Sequence, residues 1–202
     1  MPVRAPTVTV DDSSLVERCR RGDSAAMETL ILKYQNRLFN TILRICANPE
    51  DAAELTQETF VKVIEGLGRF QGKSSFYTWA FRIAVNLAIN HCQRHKRVGF
   101  RSLDSEDTTG DEGAAPLLKD FLRNENAPDP ANVAQNKELC EMVGRALMEL
   151  DETHRTVIVL RDIEGMNYAQ IAQVVDVELG TVRSRLSRAR GSLKEILESM
   201  LR

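Results

Sequence analysis

The 202-residue chain is poor in aromatic side chains and has three histidines and four cysteines, and each shortage excludes something. The cysteines, Cys19, Cys46, Cys92 and Cys140, are dispersed with no Cys-x-x-Cys spacing. That excludes a disulfide framework and points to a reducing cytosol. His91, Cys92 and His95 could offer metal ligands from one stretch, but no second His/Cys cluster completes a four-ligand site and His154 stands alone, so no metal or other cofactor is expected. No Gly-rich phosphate loop and no nucleophile motif appears, which argues against catalysis. The first residues, MPVRAPTVTVDDSS, lack the apolar core of a signal peptide. No run approaches the roughly 18 apolar residues that span a bilayer, so a cytoplasmic protein without membrane insertion is expected.

What remains is ordinary in total and uneven in distribution. Hydrophobic residues make up 43% and charged residues 28%, a globular balance, with a formal net charge of -2. The small net charge conceals segments of opposite sign. No acid lies between Gly66 and Leu103, whereas residues 104–130 hold eight acids against two bases, together with two glycines and three prolines.

Apolar residues recur at three and four throughout, and no stretch alternates as a half-buried strand would. The chain reads as all-α, two small helical domains joined by a flexible acidic linker. Residues 1–11 are expected to be a disordered tail, 12–97 a first helical domain, 98–134 the linker, with one short helical piece at Leu117 to Leu122, and 135–202 a second domain. Asp12 or Ser13 is placed to cap a first helix and Asp23 a second. Asn48-Pro49 starts a third that runs to about Gly66, and Ser74 or Ser75 caps a fourth.

Near the end, NYAQIAQVVDVELGTVRSRLSRARGSLKEIL carries two short helices joined by a tight turn at Asp176, the helix-turn-helix pattern. At 100° per residue, Val182, Leu186, Ala189 and Leu193 fall within about 60° and pack inward. Arg183, Ser184, Ser187 and Arg188 occupy the opposite side, and Thr181 to Lys194 holds five bases and no acid. Such a face can bond base edges and phosphates in a major groove. The competing explanation, a solvated face on an ordinary helical hairpin, leaves the agreement of turn, stripe and charge unexplained.

The aromatic residues gather in FQGKSSFYTWAFRIAVNLAINHCQRHKR, which holds five of them, including the only tryptophan. Phe76, Ala80, Ile83, Ala84 and Leu87 form an inward stripe. Phe76 and Phe81 read as core. Trp79, Arg82, Asn86, Asn90, Gln93 and Arg97 share another arc of about 80°. Asn and Gln can read base edges, Arg binds phosphate, and an aromatic beside a basic groove holds single strands at roughly 1–3 kcal/mol per stacked base. The preceding helix is acidic instead, with Glu50, Asp51, Glu54, Glu58 and Glu65 against Lys62, a poor surface for DNA that suits a protein partner or, equally on charge alone, a plain solvated face.

DAAELTQETFVKV, FQGKSSFYTWAFRIAVNLAIN, the linker, and the helix-turn-helix with GTVRSRLSRAR, in that order over residues 12 to 198, resemble a bacterial RNA polymerase sigma factor. The resemblance is to the sigma-70 family, its extracytoplasmic-function group, and in particular the sigma-E-like members. It implies an alternative sigma factor that binds core RNA polymerase, directs it to specific promoters and helps open the -10 region. No nucleotide is hydrolysed in such a mechanism. The first domain then corresponds to sigma region 2 and the second to region 4. Asp51, Glu54, Leu55, Gln57, Glu58 and Phe60 fall in the segment that docks on the clamp helices of the largest polymerase subunit, and the beta flap is a further polymerase partner. Phe70, Lys73, Ser75, Trp79, Arg82, Asn86, Asn90, Gln93 and Arg97 fall on the part that recognises and melts the -10 element, so promoter DNA is bound both double- and single-stranded. Thr181, Arg183, Ser184, Ser187 and Arg188 fall on the -35 recognition helix. Family habit adds an anti-sigma factor. One departure is the turn Asp176-Val177-Glu178, where many relatives have Gly and Pro.

The linker passes a physical check. About 37 residues give a coil of roughly 35 Å and, pulled straight, a reach on the order of 120 Å. A stand-alone helix-turn-helix transcriptional regulator is the alternative, but it leaves the Trp79 to Arg97 arc without a use.

Overall fold

The computed structural model describes residues 11–101 and 141–201, and every regular element in them is helical. Four helices form the first module: α1 (Asp12–Arg20), α2 (Ser24–Cys46), α3 (Pro49–Gly66) and α4 (Phe76–Arg101). A 3-10 turn, Leu67–Arg69, follows α3. The second module holds α5 (141–149), α6 (Glu152–Ile158), a π-helical turn at Val159–Ile163, α7 (Tyr168–Val175) and α8 (Leu179–Met200). The tail through residue 10, the linker from residue 102 and the short helix expected at Leu117 to Leu122 lie outside the described residues; α4 itself continues to Arg101.

The expected caps set these boundaries. The Asp23 carboxylate accepts from the Ala26 amide, and the Asn48 side chain accepts from Glu50 and Asp51 with Pro49 in the first turn. The Ser75 hydroxyl accepts from the Thr78 amide at 3.1 Å. Asn167 and Gln170 form a reciprocal capping box. Asp176 takes the left-handed conformation at φ 55°, which an aspartate tolerates and the turn requires. α1 departs from expectation. Its cap position is Asp11, with no side-chain bond, because Asp12 reaches across to Lys33 at 2.6 Å and to the Tyr34 hydroxyl on α2.

α2, α3 and α4 pack around Leu30, Leu38, Ile42, Val63, Phe81 and Val85, with α1 laid over one end through Leu15 and Val16. In the second module Leu147, Val157, Leu160, Met166, Ile171 and Leu186 form the interior. The two modules dock, and the buried cluster runs through both. α7 packs along α4, and α2 meets α6 and the π turn.

Two polar ties on α2 reinforce this contact. Arg155 donates to the carbonyls of Leu147, Met148 and Leu150, which close the end of α5, and to Ile45 of the other module at 2.8 Å. The π turn bonds Glu164 N to Val159 O, and Gly165 follows at φ 72°. This aims the Glu164 carboxylate, 5% exposed, at α2. There it meets Arg37 at 2.9 Å, Thr41 at 3.0 Å and Arg44 at 3.8 Å, and Tyr77 of α4 at 3.4 Å. Burial pushes the Tyr77 phenol up to about 12, so it remains a donor at neutral pH.

Replacing Glu164 with Ala leaves these donors without their shared acceptor. We expect a loss of about 1–3 kcal/mol in urea unfolding, together with a larger radius of gyration in small-angle scattering as the modules part. An unchanged radius would mean that the apolar contacts alone hold them.

Candidate nucleic-acid and polymerase interfaces

The start of α4 is built by a chain of contacts. Arg20 of α1 donates to the carbonyls of Leu67, at 3.2 Å, and Phe70, fixing the loop that precedes α4. Phe70 lies on Trp79 with ring centroids 4.8 Å apart and meets Phe76 edge-on at 6.4 Å. Trp79 covers Gly66, where an added Cβ would come within 3.0 Å of the indole. Trp79 is therefore half-buried, a wall of the module as well as a face of the arc. Lys73 is exposed beyond the left-handed Gly72. Ser75 spends its hydroxyl on the cap, a positioning use that leaves its backbone at the loop's edge.

Below this aromatic platform Arg82, Asn86, Asn90 and Gln93 stand exposed along one line of α4. The side chain of Arg97 lies outside the described residues. Arg82 is engaged by Asp176 of the helix-turn-helix at 3.2 Å, so the docked second module reaches this line.

On α8, Val182, Leu186 and Ala189 are buried and Leu193 partly so, while Arg183, Ser184, Ser187 and Arg188 are exposed. Ser184 donates back to the Thr181 carbonyl at 3.0 Å. Neither Arg183 nor Arg188 is paired with a described carboxylate. Arg190, two residues on, is held by Asp162 through two bonds and is not part of the free basic face. Glu178, the departure noted in the turn, is the exposed cap residue of α8 and makes no side-chain cap bond.

α3 requires a correction. Leu55 and Phe60, expected on the polymerase-facing surface, are 4% and 9% exposed and belong to the core. On the helix they flank Ala52, Thr56, Thr59 and Val63, the buried residues that face α2 and α4. Glu54 and Gln57 do point outward, and half-buried Glu58 pairs with Lys62 at 3.3 Å. Beside them stand Val61 and Ile64, 52% and 50% exposed. Two apolar residues on the charged side of the wheel were the available sequence signal for this patch. Asp51 turns to α4, where its carboxylate lies 3.0 Å from His91. Asp51, His91 and His95 are the one group of three potential metal-binding side chains that comes together among the described residues. The first two are in contact and link α3 to α4.

Family models and known proteins match most of the chain. A model of sigma-70 region 2 matches residues 30–98, and one of sigma-70 region 4 matches residues 140–193. The chain is 38% identical over 192 residues to the RNA polymerase sigma-H factor of Pseudomonas aeruginosa, covering 95% of this chain and 96% of that one. It is 33% identical, over the same shares, to the ECF RNA polymerase sigma-E factor of Escherichia coli K12. Among solved structures, CnrH in complex with the cytosolic domain of CnrY is similar in fold, at a TM-score of 0.65 and 24% identity over 93% of this chain and 97% of that one. So is the sigma factor RpoE in complex with the anti-sigma factor NepR from Bartonella quintana, at 0.63 and 21% over 85% and 96%.

Because Trp79 is packed and the asparagines are not, their replacements should separate in a thermal melt. Trp79→Ala is expected to cost about 2–4 kcal/mol, and Asn86→Ala or Asn90→Ala to stay within about 0.5 kcal/mol of the parent. Equal losses would contradict the placement of the asparagines on an open face.

Proposed function

The chain belongs to the extracytoplasmic-function group of sigma-70 factors, an alternative sigma factor of transcription initiation, and on that premise we propose which of its surfaces do which part of the work. Residues 12–97 act as the -10 module and residues 135–202 as the -35 module, with 98–134 as the tether. Arg183, Ser184, Ser187 and Arg188, flanked by Thr181, read the -35 duplex in the major groove. The line Arg82, Asn86, Asn90 and Gln93, continued by Arg97, meets the -10 element as it melts. Phe70, Lys73 and Ser75 form the rim that receives a base turned out of the stack. Trp79 supplies the wall behind it.

Melting costs a few kcal/mol for each unstacked step. Stacking on the aromatic rim and phosphate contacts along α4 offset that cost, so binding energy opens the strands and polymerase does the chemistry. The chain catalyses nothing itself. α3 docks on the polymerase clamp helices through Glu54, Gln57 and Glu58, to which we add Val61 and Ile64. An apolar pair inside a charged patch gives such a contact its anchor. Asp51, tied to His91, shapes the edge of that patch. The second module meets the beta flap, and the work is cytoplasmic.

The observation that carries the reading is the pairing of an exposed polar line on α4 with an exposed basic face on α8, in modules joined by a segment long enough to let them separate. In the docked form α7 lies on α4 and Asp176 holds Arg82. Reading two spaced promoter elements at once requires that contact to open. A protein inhibitor that favours the docked form, an anti-sigma factor, fits the same logic.

Arg183→Ala and Arg188→Ala should each weaken binding to a duplex carrying the -35 element by about 1–3 kcal/mol and leave core-polymerase binding unchanged. Loss of core binding in these variants would count against the assignment. With polymerase present, Asn86→Ala should reduce permanganate reactivity of -10 thymines while upstream protection persists. Loss of both together would place Asn86 elsewhere in the mechanism.

A further inference from the structure

Two of the dispersed cysteines meet in the fold. Cys46 is the last residue of α2 and Cys92 lies on α4, with their sulfurs 3.6 Å apart. Each thiol also faces a backbone carbonyl of the opposite helix, Cys46 that of Ala88 and Cys92 that of Ile45, both at 3.8 Å. Both residues are half-buried rather than sealed in the core. A disulfide needs its sulfurs at about 2.05 Å, an approach of roughly 1.5 Å that side-chain rotation and a small helix adjustment can supply.

We propose that Cys46 and Cys92 form a peroxide-oxidisable dithiol that closes a reversible disulfide between α2 and α4. In the first step the Cys92 thiolate attacks one peroxide oxygen. An S–O bond forms and the O–O bond breaks, and the departing hydroxide takes a proton to become water. Cys46 then attacks the Cys92 sulfenic sulfur. The S–S bond forms, the S–O bond breaks, and the hydroxyl leaves with the Cys46 proton as a second water. Two thiols are oxidised and one peroxide is reduced to two waters. A dithiol reductant restores the pair.

The surroundings assign the order of attack. The Cys92 thiol is drawn below the ordinary range by its hydrogen-bonding contact with Cys46, and the Arg155 guanidinium and His91 act in the same direction, against burial and Glu152. Cys46 is raised by the same contact and by burial. Its place at the negative end of α2 also keeps its proton on. Cys92 is thus the attacking sulfur and Cys46 the resolving one, the low-pKa and partner arrangement of redox-responsive thiols. Transient disulfides of this kind are the ones a reducing compartment tolerates.

The position gives the bond a structural consequence. The Ile45 carbonyl that faces Cys92 also accepts from Arg155, one of the polar ties between the modules. Oxidation acts directly beneath that tie and removes the Cys92 thiol from it.

The test uses the full-length chain, reduced, desalted, exposed to hydrogen peroxide, alkylated under denaturing conditions and mapped by mass spectrometry without reduction. The expected product is a monomer in which the tryptic peptide Ile45–Lys62 is joined to Ile83–Arg94, with Cys19 and Cys140 alkylated and the link lost on adding dithiothreitol. Cys46→Ser should instead accumulate a sulfenic acid on Cys92 that dimedone traps. Four alkylated cysteines after peroxide treatment, a link through Cys19 or Cys140, or a bond between two chains would each overturn the proposal. The wild-type map decides the matter even if the variant fails to fold.

Discussion

The docked arrangement depends on one buried carboxylate. Glu164 leaves the second module through a π-helical turn and a left-handed glycine, and it is received by Arg37, Thr41 and Arg44 on a single face of α2 and by Tyr77 of α4. A carboxylate taken out of water is costly, and only several donors at once offset the cost. One turn along the same face, the Ile45 carbonyl accepts from Arg155. α2 is therefore a dock with two polar fastenings. Such fastenings contribute less net stability than an apolar seam of equal size would, which suits the proposed opening of this contact.

Release matters because α4 serves two masters. Its inward stripe builds the first module around Phe76, Ala80, Phe81 and Ala84. Its outward line carries the polar side chains proposed to meet melting DNA, and α7 packs along the same helix with Asp176 on Arg82. Promoter reading and docking thus draw on neighbouring surfaces of one element. The basic face of α8 is different: it stands free in the docked form, so the second module can meet DNA before the first is uncovered.

Much of this was legible in the amino-acid order because it is local. Caps at Asp23, Asn48, Ser75 and Asn167, the left-handed turn at Asp176 and the inward stripe of α8 depend on residues within one or two turns of one another. The exposed basic face of α8 follows from the same 100° rotation. What was not legible is non-local. Leu55 and Phe60 lie in a motif expected to mark a polymerase surface, yet helical phase relative to α2 and α4 turns them inward and leaves Val61 and Ile64 outside. Trp79 shares an arc with Asn86 and Asn90, but a glycine at position 66 lets the indole settle against α3. Nothing near Glu164 in sequence announces three receiving residues on a helix more than a hundred positions earlier. The meeting of Cys46 with Cys92 was hidden for the same reason.

The central claim is that this chain initiates transcription by reading two separated promoter elements while bound to polymerase. Run-off transcription from a fragmented genomic library, with purified bacterial core polymerase and with or without the chain, tests it most directly. The account predicts discrete new start sites that share two upstream elements at fixed spacing. Absence of new starts, together with no retention of the chain on core polymerase, would contradict it and return the helix-turn-helix to a stand-alone regulator.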